Sequence, residues 1–141
     1  MNRQNKQVRV GCGALIINEK DETLLIKRGT KAKNQSGIWS QPGGAIDFGE
    51  TVEHAIKREI DEELDVTVKL IKYLCYTNQI LNKESQHWVT ISYLAEIIKG
   101  EPKNLEAHKH DDMRWFPVDK LPSKLSITTK DSTKAYLSSR K

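Results

Sequence analysis

Residues 44–66 read G-A-I-D-F-G-E-T-V-E-H-A-I-K-R-E-I-D-E-E-L-D-V, and this segment constrains the chain more than any other. Glu59, Glu62 and Glu63 fall within little more than one helical turn. Side chains three and four apart share a helix face, so the three carboxylates span an arc of roughly 100°. Val52, Ala55 and Ile56 lie on or beside that arc. An amphipathic helix turns its apolar stripe inward. This stripe begins apolar and ends in three anions. Like charges held that close repel, more so when partly buried. A divalent cation with oxygen ligands relieves the repulsion, and Mg²⁺ or Mn²⁺ suits such a set. The competing account is an ordinary solvated acidic face. His54, Lys57 and Asp61 already occupy the solvent side, which favours the metal site.

The helix has a start signal. Thr51 is a capping residue and Glu53 suits the first turn. Upstream stand Pro42-Gly43-Gly44 and then Gly49-Glu50. A glycine pair permits close backbone approach, so a carbonyl can face a ligand. Together these residues resemble the Nudix box, G-x5-E-x7-R-E-U-x-E-E-x-G-U with U aliphatic. Gly44, Glu50, Arg58, Glu59, Ile60, Glu62, Glu63 and Val66 match in register. The last glycine of the box is replaced by Asp65. Aspartate tolerates the left-handed conformation such a position requires, so the site is expected intact with a different helix exit.

The resemblance implies a hydrolase acting on nucleoside diphosphates linked to another moiety, with Mg²⁺ or Mn²⁺ as cofactor. Glu59, Glu62, Glu63 and the Gly43 carbonyl would hold the cation. Glu50 would complete that set or accept a proton from the attacking water. Arg58 would orient a glutamate through a bidentate pair; the plainer account is a surface ion pair with Glu62. Bound cations neutralise phosphate charge and lower the pKa of water. Arg28, with Lys27, matches the phosphate-contacting basic position, the plainer account being a solvent-facing strand cation. Glu106, Asp111 and Asp112 are further candidate metal ligands, although ordinary loop carboxylates are the favoured reading.

Specificity is less legible. Other branches of the family carry a proline or a tyrosine after the box. No proline follows Val66 before Pro102, and Lys83 and Glu84 stand where the tyrosine is expected. The run His87-Trp88-Val89-Thr90, then Glu101 to Glu106, then Trp115-Phe116-Pro117 and Leu121-Pro122, is similar to small nucleoside-triphosphate diphosphatases, including the thiopurine-nucleotide branch. That resemblance implies hydrolysis of (d)NTP or modified dNTP to NMP and pyrophosphate. Thr90 and Trp115 become candidates for base binding, with core packing an equal reading for Trp115. Trp39 and Trp88 read as packing residues. A nucleotide sugar or dihydroneopterin triphosphate is an alternative substrate, and a nucleotide sensor without turnover is an alternative function.

Elsewhere the pattern is β-rich. Val8–Ile17 and Thr23–Arg28 read as a hairpin around the turn Asn18–Asp21. A polar loop runs from Gly29 to Gly37, and Ile38–Gln41 is a short strand. After the helix come strands at Thr67–Tyr76, whose alternation slips once, and at His87–Ile98. A partly helical loop over Thr77–Gln86 joins them. Gly100–Asp112 is a polar loop, Met113–Phe116 a strand, Pro117–Leu121 a short helical turn, and Ser126 opens a weak terminal helix. This order predicts an α+β chain with a mixed sheet. The resemblance, spanning residue 8 to about residue 122, implies an α/β/α sandwich.

At 141 residues the chain fits one domain, residues 1–141, with 1–7 as an N-terminal tail. No apolar run reaches transmembrane length and no apolar signal core follows Met1, so no membrane partner is expected. Cys12 and Cys75 lack redox or metal spacing and read as reduced cysteines in a cytoplasmic protein. The net charge of +4 comes from scattered lysines interleaved with acids. It suits a nucleotide substrate better than a nucleic acid polymer. Homodimerisation is a family-level expectation only.

Overall fold

The computed structural model describes residues 6–29 and 37–140. Most of the predicted Gly29–Gly37 loop and of the predicted tail lies outside them. The elements in order are β1 (Val8–Ile16), β2 (Glu22–Arg28), β3 (Trp39–Ser40), β4 (Gly43–Ala45), α1 (Val52–Leu64), β5 (Thr67–Leu81), β6 (Gln86–Lys99), β7 (His110–Pro117) and α2 (Ile127–Ser139). They form one sheet in the order β4-β1-β6-β5 and a second in the order β3-β2-β7.

The two helices cover opposite faces of the four-stranded sheet. Side chains alternate between faces along a strand. Ala14 of β1 lies beside Tyr93 of β6, and Gly13 beside Ser92. On the Ala14 face, Ala14 and Ile16 form a core with Ala55, Ile56, Ile60 and Leu64 of α1, and the Tyr93 hydroxyl donates to Glu53 of α1. On the Gly13 face, Gln41 Nε2 donates to Ser92 Oγ at 2.8 Å. Ser132 of α2 donates in turn to Gln41 Oε1 at 2.5 Å. The α/β/α sandwich is therefore present.

Three sequence expectations need correction. Residues 8–28 do not form a hairpin. Both edges of β1 are taken, by antiparallel β4 and by parallel β6, so β2 turns away and pairs with β3 and β7. Only the bridge Ile17–Thr23 remains at the turn, which Asn18 Oδ1 closes by accepting from the Glu22 N–H. The stretch Thr77–Gln86 is not a part-helical loop. β5 continues to Leu81, and a tight turn with Ser85 at φ 54° leads into antiparallel β6. The predicted slip is real: register shifts fall at Leu70/Lys72 and Tyr73/Cys75. The helical turn after Pro117 is only a hydrogen-bonded turn, with Lys120 N–H donating to the Pro117 carbonyl.

The ends of α1 follow from its sequence. Thr51 accepts from the His54 N–H and caps the first turn. Asp65 ends the helix at φ 59°, ψ 42°. Carbonyls beyond the last turn need outside donors. The loop after β6 supplies them: Lys103 N–H donates to the Leu64 carbonyl and Leu105 N–H to that of Glu63, both at 2.9 Å. Residues far apart in sequence are thereby fixed beside the acidic end of α1.

A left-handed non-glycine residue carries strain of about 1 kcal/mol or more. Asp65→Gly is expected to hold or raise stability in urea unfolding, and Asp65→Val to lower it by about 1–2 kcal/mol. Equal stability of the two variants would contradict the cap assignment.

Candidate active site

The glycine pair sets how closely strand and helix approach. Gly43 and Gly44 of β4 pair with Gly13 and Cys12 of β1. A Cβ on Gly43 would lie 2.1 Å from the Cys12 carbonyl oxygen, and one on Gly44 would lie 2.3 Å from Glu59 Oε2. Gly43 admits no side chain because it meets backbone, and a side chain on Gly44 would displace the Glu59 carboxylate. Their absence lets the carboxylates of α1 close onto backbone.

Glu63 is the deepest of the acids, only 6% exposed. Its Oε1 accepts from the Gly43 N–H at 2.9 Å. Burial above all, opposed by the Gly43 N–H and helped by nearby Glu59 and Glu106, raises its pKa to about 8. Burial also raises the Glu59 pKa, against an opposing pull from Arg58. Glu62 stands at the rim, its side chain 53% exposed. The inner wall of α1 thus carries two of the three glutamates, with the third at its edge.

Arg58 gathers the remaining carboxylates. Its Nε and one terminal nitrogen donate to both oxygens of Glu50 at 2.6 and 2.8 Å, the expected bidentate pair. The other terminal nitrogen donates to Glu59 at 3.0 Å and to Glu62 at 3.3 Å. The guanidinium also reaches the Ala45 carbonyl at 3.1 Å. This bonding holds the Glu50 pKa down at about 2. Glu50 is therefore ionised but engaged through both oxygens.

Two further residues join, Glu106 from the loop docked on the helix end and His110 from the start of β7. Ligand atoms of Glu63, Glu106 and His110 lie within 4.8 Å of one another. Burial lowers the His110 pKa and keeps the imidazole neutral near pH 7. Glu106 was foreseen only as a lesser candidate, and His110 was missed altogether. A lone histidine in a polar loop carries no local signal; only tertiary docking reveals it. Asp112 bonds Arg114 at 2.8 Å and the Met113 N–H instead.

A cavity of about 460 Å³ opens over Glu63, bounded by Gly43, Gly44, Arg28, His110, Thr90 and Trp88. Gln79 and Gln86 from the β5–β6 hairpin extend its wall, and Ser126 and Thr128 at the start of α2 face it from another side. Arg28 and Thr90 are thus brought to the cavity. Lys27 is not among its lining residues and sits opposite Trp39 and Asp112 in the second sheet. Trp115 also lies outside the lining, packed against the core. Trp88, read from sequence as packing, lines the cavity.

Comparison with known proteins agrees with this architecture. The NUDIX domain model matches residues 7–137, and the chain belongs to the Nudix family, an enzyme of the Nudix hydrolase class. A solved MutT NUDIX hydrolase from Burkholderia pseudomallei is 40% identical, with a TM-score of 0.85 over 92% of this chain and 98% of that one. An ADP-ribose pyrophosphatase of Methanocaldococcus jannaschii is 32% identical over 86% of this chain and 69% of its own length. Nudix hydrolase 5 of Arabidopsis thaliana is 24% identical over 82% of this chain, which spans 38% of that protein.

The raised pKa of Glu63 has a definite sign. Without cation the folded state holds a proton that the unfolded chain releases above the carboxylate's usual pKa of 4.5. Stability should therefore fall as pH rises from about 4.5 to about 8, by at most about 1.4 kcal/mol per pH unit. Urea unfolding in chelator across this range should show the decline, and Glu63→Gln should flatten it. An unchanged slope in the variant would contradict the assignment.

Proposed function

We propose that this chain is a divalent-cation-dependent pyrophosphohydrolase cleaving nucleoside triphosphates, (d)NTP or modified dNTP, to NMP and pyrophosphate. The observation that carries the reading is the buried Glu63 carboxylate at the floor of a nucleotide-sized cavity that also holds Arg28. A buried carboxylate without a cationic partner is costly, so this donor set fits a hard cation with oxygen preference. Glu59, Glu63 and the Gly43 carbonyl would hold it, with Glu62 at the rim; Mg²⁺ is the first expectation and Mn²⁺ the second. Such a cation supplies charge neutralisation and an acidified water.

The chain's own residues then position the reactants. Arg58 fixes the orientation of Glu59 while neutralising Glu50. Arg28 lies on the cavity wall, where it would meet phosphate oxygens, whereas Lys27 is assigned a lesser, long-range role. Thr90 and Trp88 would flank the base, a stacking surface and a hydroxyl side by side. Trp115, packed against the core, is assigned no contact with the base. The bonding of Glu50 to Arg58 favours a structural role for Glu50 over that of general base. The likeness to a MutT hydrolase over nearly the whole chain supports a small nucleotide substrate. The free thiols of Cys12 and Cys75 support a reducing, cytoplasmic setting. Exposed Tyr73, Tyr76 and Ile80 on edge strand β5 support a homodimer.

A second reading, ADP-ribose hydrolysis, is favoured by the 32% identity to an ADP-ribose pyrophosphatase. Turnover on dNTPs, oxidised dNTPs, ADP-ribose, nucleotide sugars and dihydroneopterin triphosphate, with product identification, separates these readings. The expected products are NMP and pyrophosphate. Glu63→Gln is expected to stay folded and lose at least about 10³-fold in kcat. Retained turnover in that variant would refute the mechanism, and nucleotide binding without any turnover would favour a sensor.

A further inference from the structure

Glu63, Glu106 and His110 come from three different segments: the last turn of α1, the loop docked on it, and the first residue of β7. The docking is tight. Besides the loop N–H groups bonded to the Glu63 and Leu64 carbonyls, the His110 N–H donates to the Glu106 carbonyl, and Asn104 Nδ2 donates to the His110 carbonyl at 2.9 Å. These bonds hold the backbone of Glu106 and His110 beside the end of α1.

Among the described residues the imidazole makes no hydrogen bond. Nδ1 is buried with no partner, and Nε2 stops 3.7 Å from Glu63 Oε2. The nitrogen that faces the acids is Nε2, and a cation between it and the Glu63 carboxylate would give both a partner; Nδ1, on the far side of the ring, takes no part in that arrangement. A metal about 2.1 Å from each ligand sets neighbouring ligands about 3.0 Å apart in octahedral and about 3.4 Å apart in tetrahedral geometry. The Nε2–Glu63 separation is too long for a hydrogen bond and a few tenths of an ångström too wide for a shared ion, and the three ligand atoms, which lie within 4.8 Å of one another, would draw together by up to about 1.4 Å through side-chain rotation to share one.

We propose that Glu63, Glu106 and His110 form a metal position with mixed oxygen and nitrogen donors, selective for a divalent transition ion such as Mn²⁺, Co²⁺ or Zn²⁺ over Mg²⁺. Imidazole is a favourable ligand for those ions, whereas Mg²⁺ prefers carboxylate and water oxygen. Three protein ligands leave coordination positions open. Glu63 and His110 both line the cavity, so the open positions face the space assigned to the nucleotide. This position is distinct from the Glu59–Glu62 side of the helix, which Arg58 borders, and the two share Glu63. The inference deepens the cation-dependent reading and rests on Glu63 facing the substrate cavity.

The test uses the full chain with metal alone. Pulsed electron paramagnetic resonance of the Mn²⁺-loaded protein should reveal hyperfine coupling to a histidine nitrogen, and His110→Gln should abolish it. Calorimetric titration should show Co²⁺ affinity weakened about tenfold or more in His110→Gln, with Mg²⁺ affinity changed less than about twofold. Absence of nitrogen coupling in the unaltered protein overturns the proposal without recourse to any variant. So does an unchanged Co²⁺ affinity in His110→Gln. If the coupling is present but no nucleotide is turned over, the pyrophosphohydrolase reading fails alone. Turnover with Mg²⁺ but no nitrogen coupling sinks this inference alone.

Discussion

One hydrogen bond organises this molecule: the Gly43 N–H donating to the Glu63 carboxylate, out of reach of bulk water. It ties the glycine strand to the last turn of α1. A carboxylate kept from water must carry a proton or face a cation. On the proposed reading, pH and metal compete for Glu63. Gly43 and Gly44 lack the side chains that would push the helix away. Asp65 ends the helix one residue after Leu64, and the following loop returns to seal its carbonyls.

The sheet topology explains why the site lies where it does. β1 is held between β4 and β6, with α1 on one face and α2 on the other. β4 brings the glycine pair to the start of the site, and β6 carries Thr90 and Trp88 to the opposite wall. The second sheet brings Arg28 and His110, paired across β2 and β7 at a register shift beside Lys27. The acids, Arg28, His110 and the Trp88–Thr90 wall thus arrive from five elements that meet only in the fold. Arg58 keeps the acids in order by engaging Glu50, Glu59 and Glu62 with one planar group.

What sequence revealed was local. The helix, its Thr51 cap, the left-handed Asp65 and the inward placement of Glu59 and Glu63 all follow from spacing and residue type within a single turn or two. The slip in β5 was visible because alternation reverses at a bulge. Long-range pairing was not visible. The turn at Asn18 suggested a hairpin, but strand partners are chosen by which edges remain free, and β1 had none. Glu62 shares the helical arc yet reaches the rim, because the arc extends past the buried boundary. Trp88 lines the cavity and Trp115 packs against the core, a difference hard to read from sequence because either face of a strand suits an aromatic residue. His110 was illegible for the same reason: its meaning comes from a loop folded back onto a helix end.

The central claim is that a cation takes the place of the proton on Glu63. It is tested most directly by calorimetric titration of Mg²⁺ or Mn²⁺ at pH 7 in two buffers of different ionisation enthalpy. With the Glu63 pKa at about 8, binding should release close to one proton per cation. Cation uptake with no proton released, or no uptake at all with or without nucleotide, would contradict it.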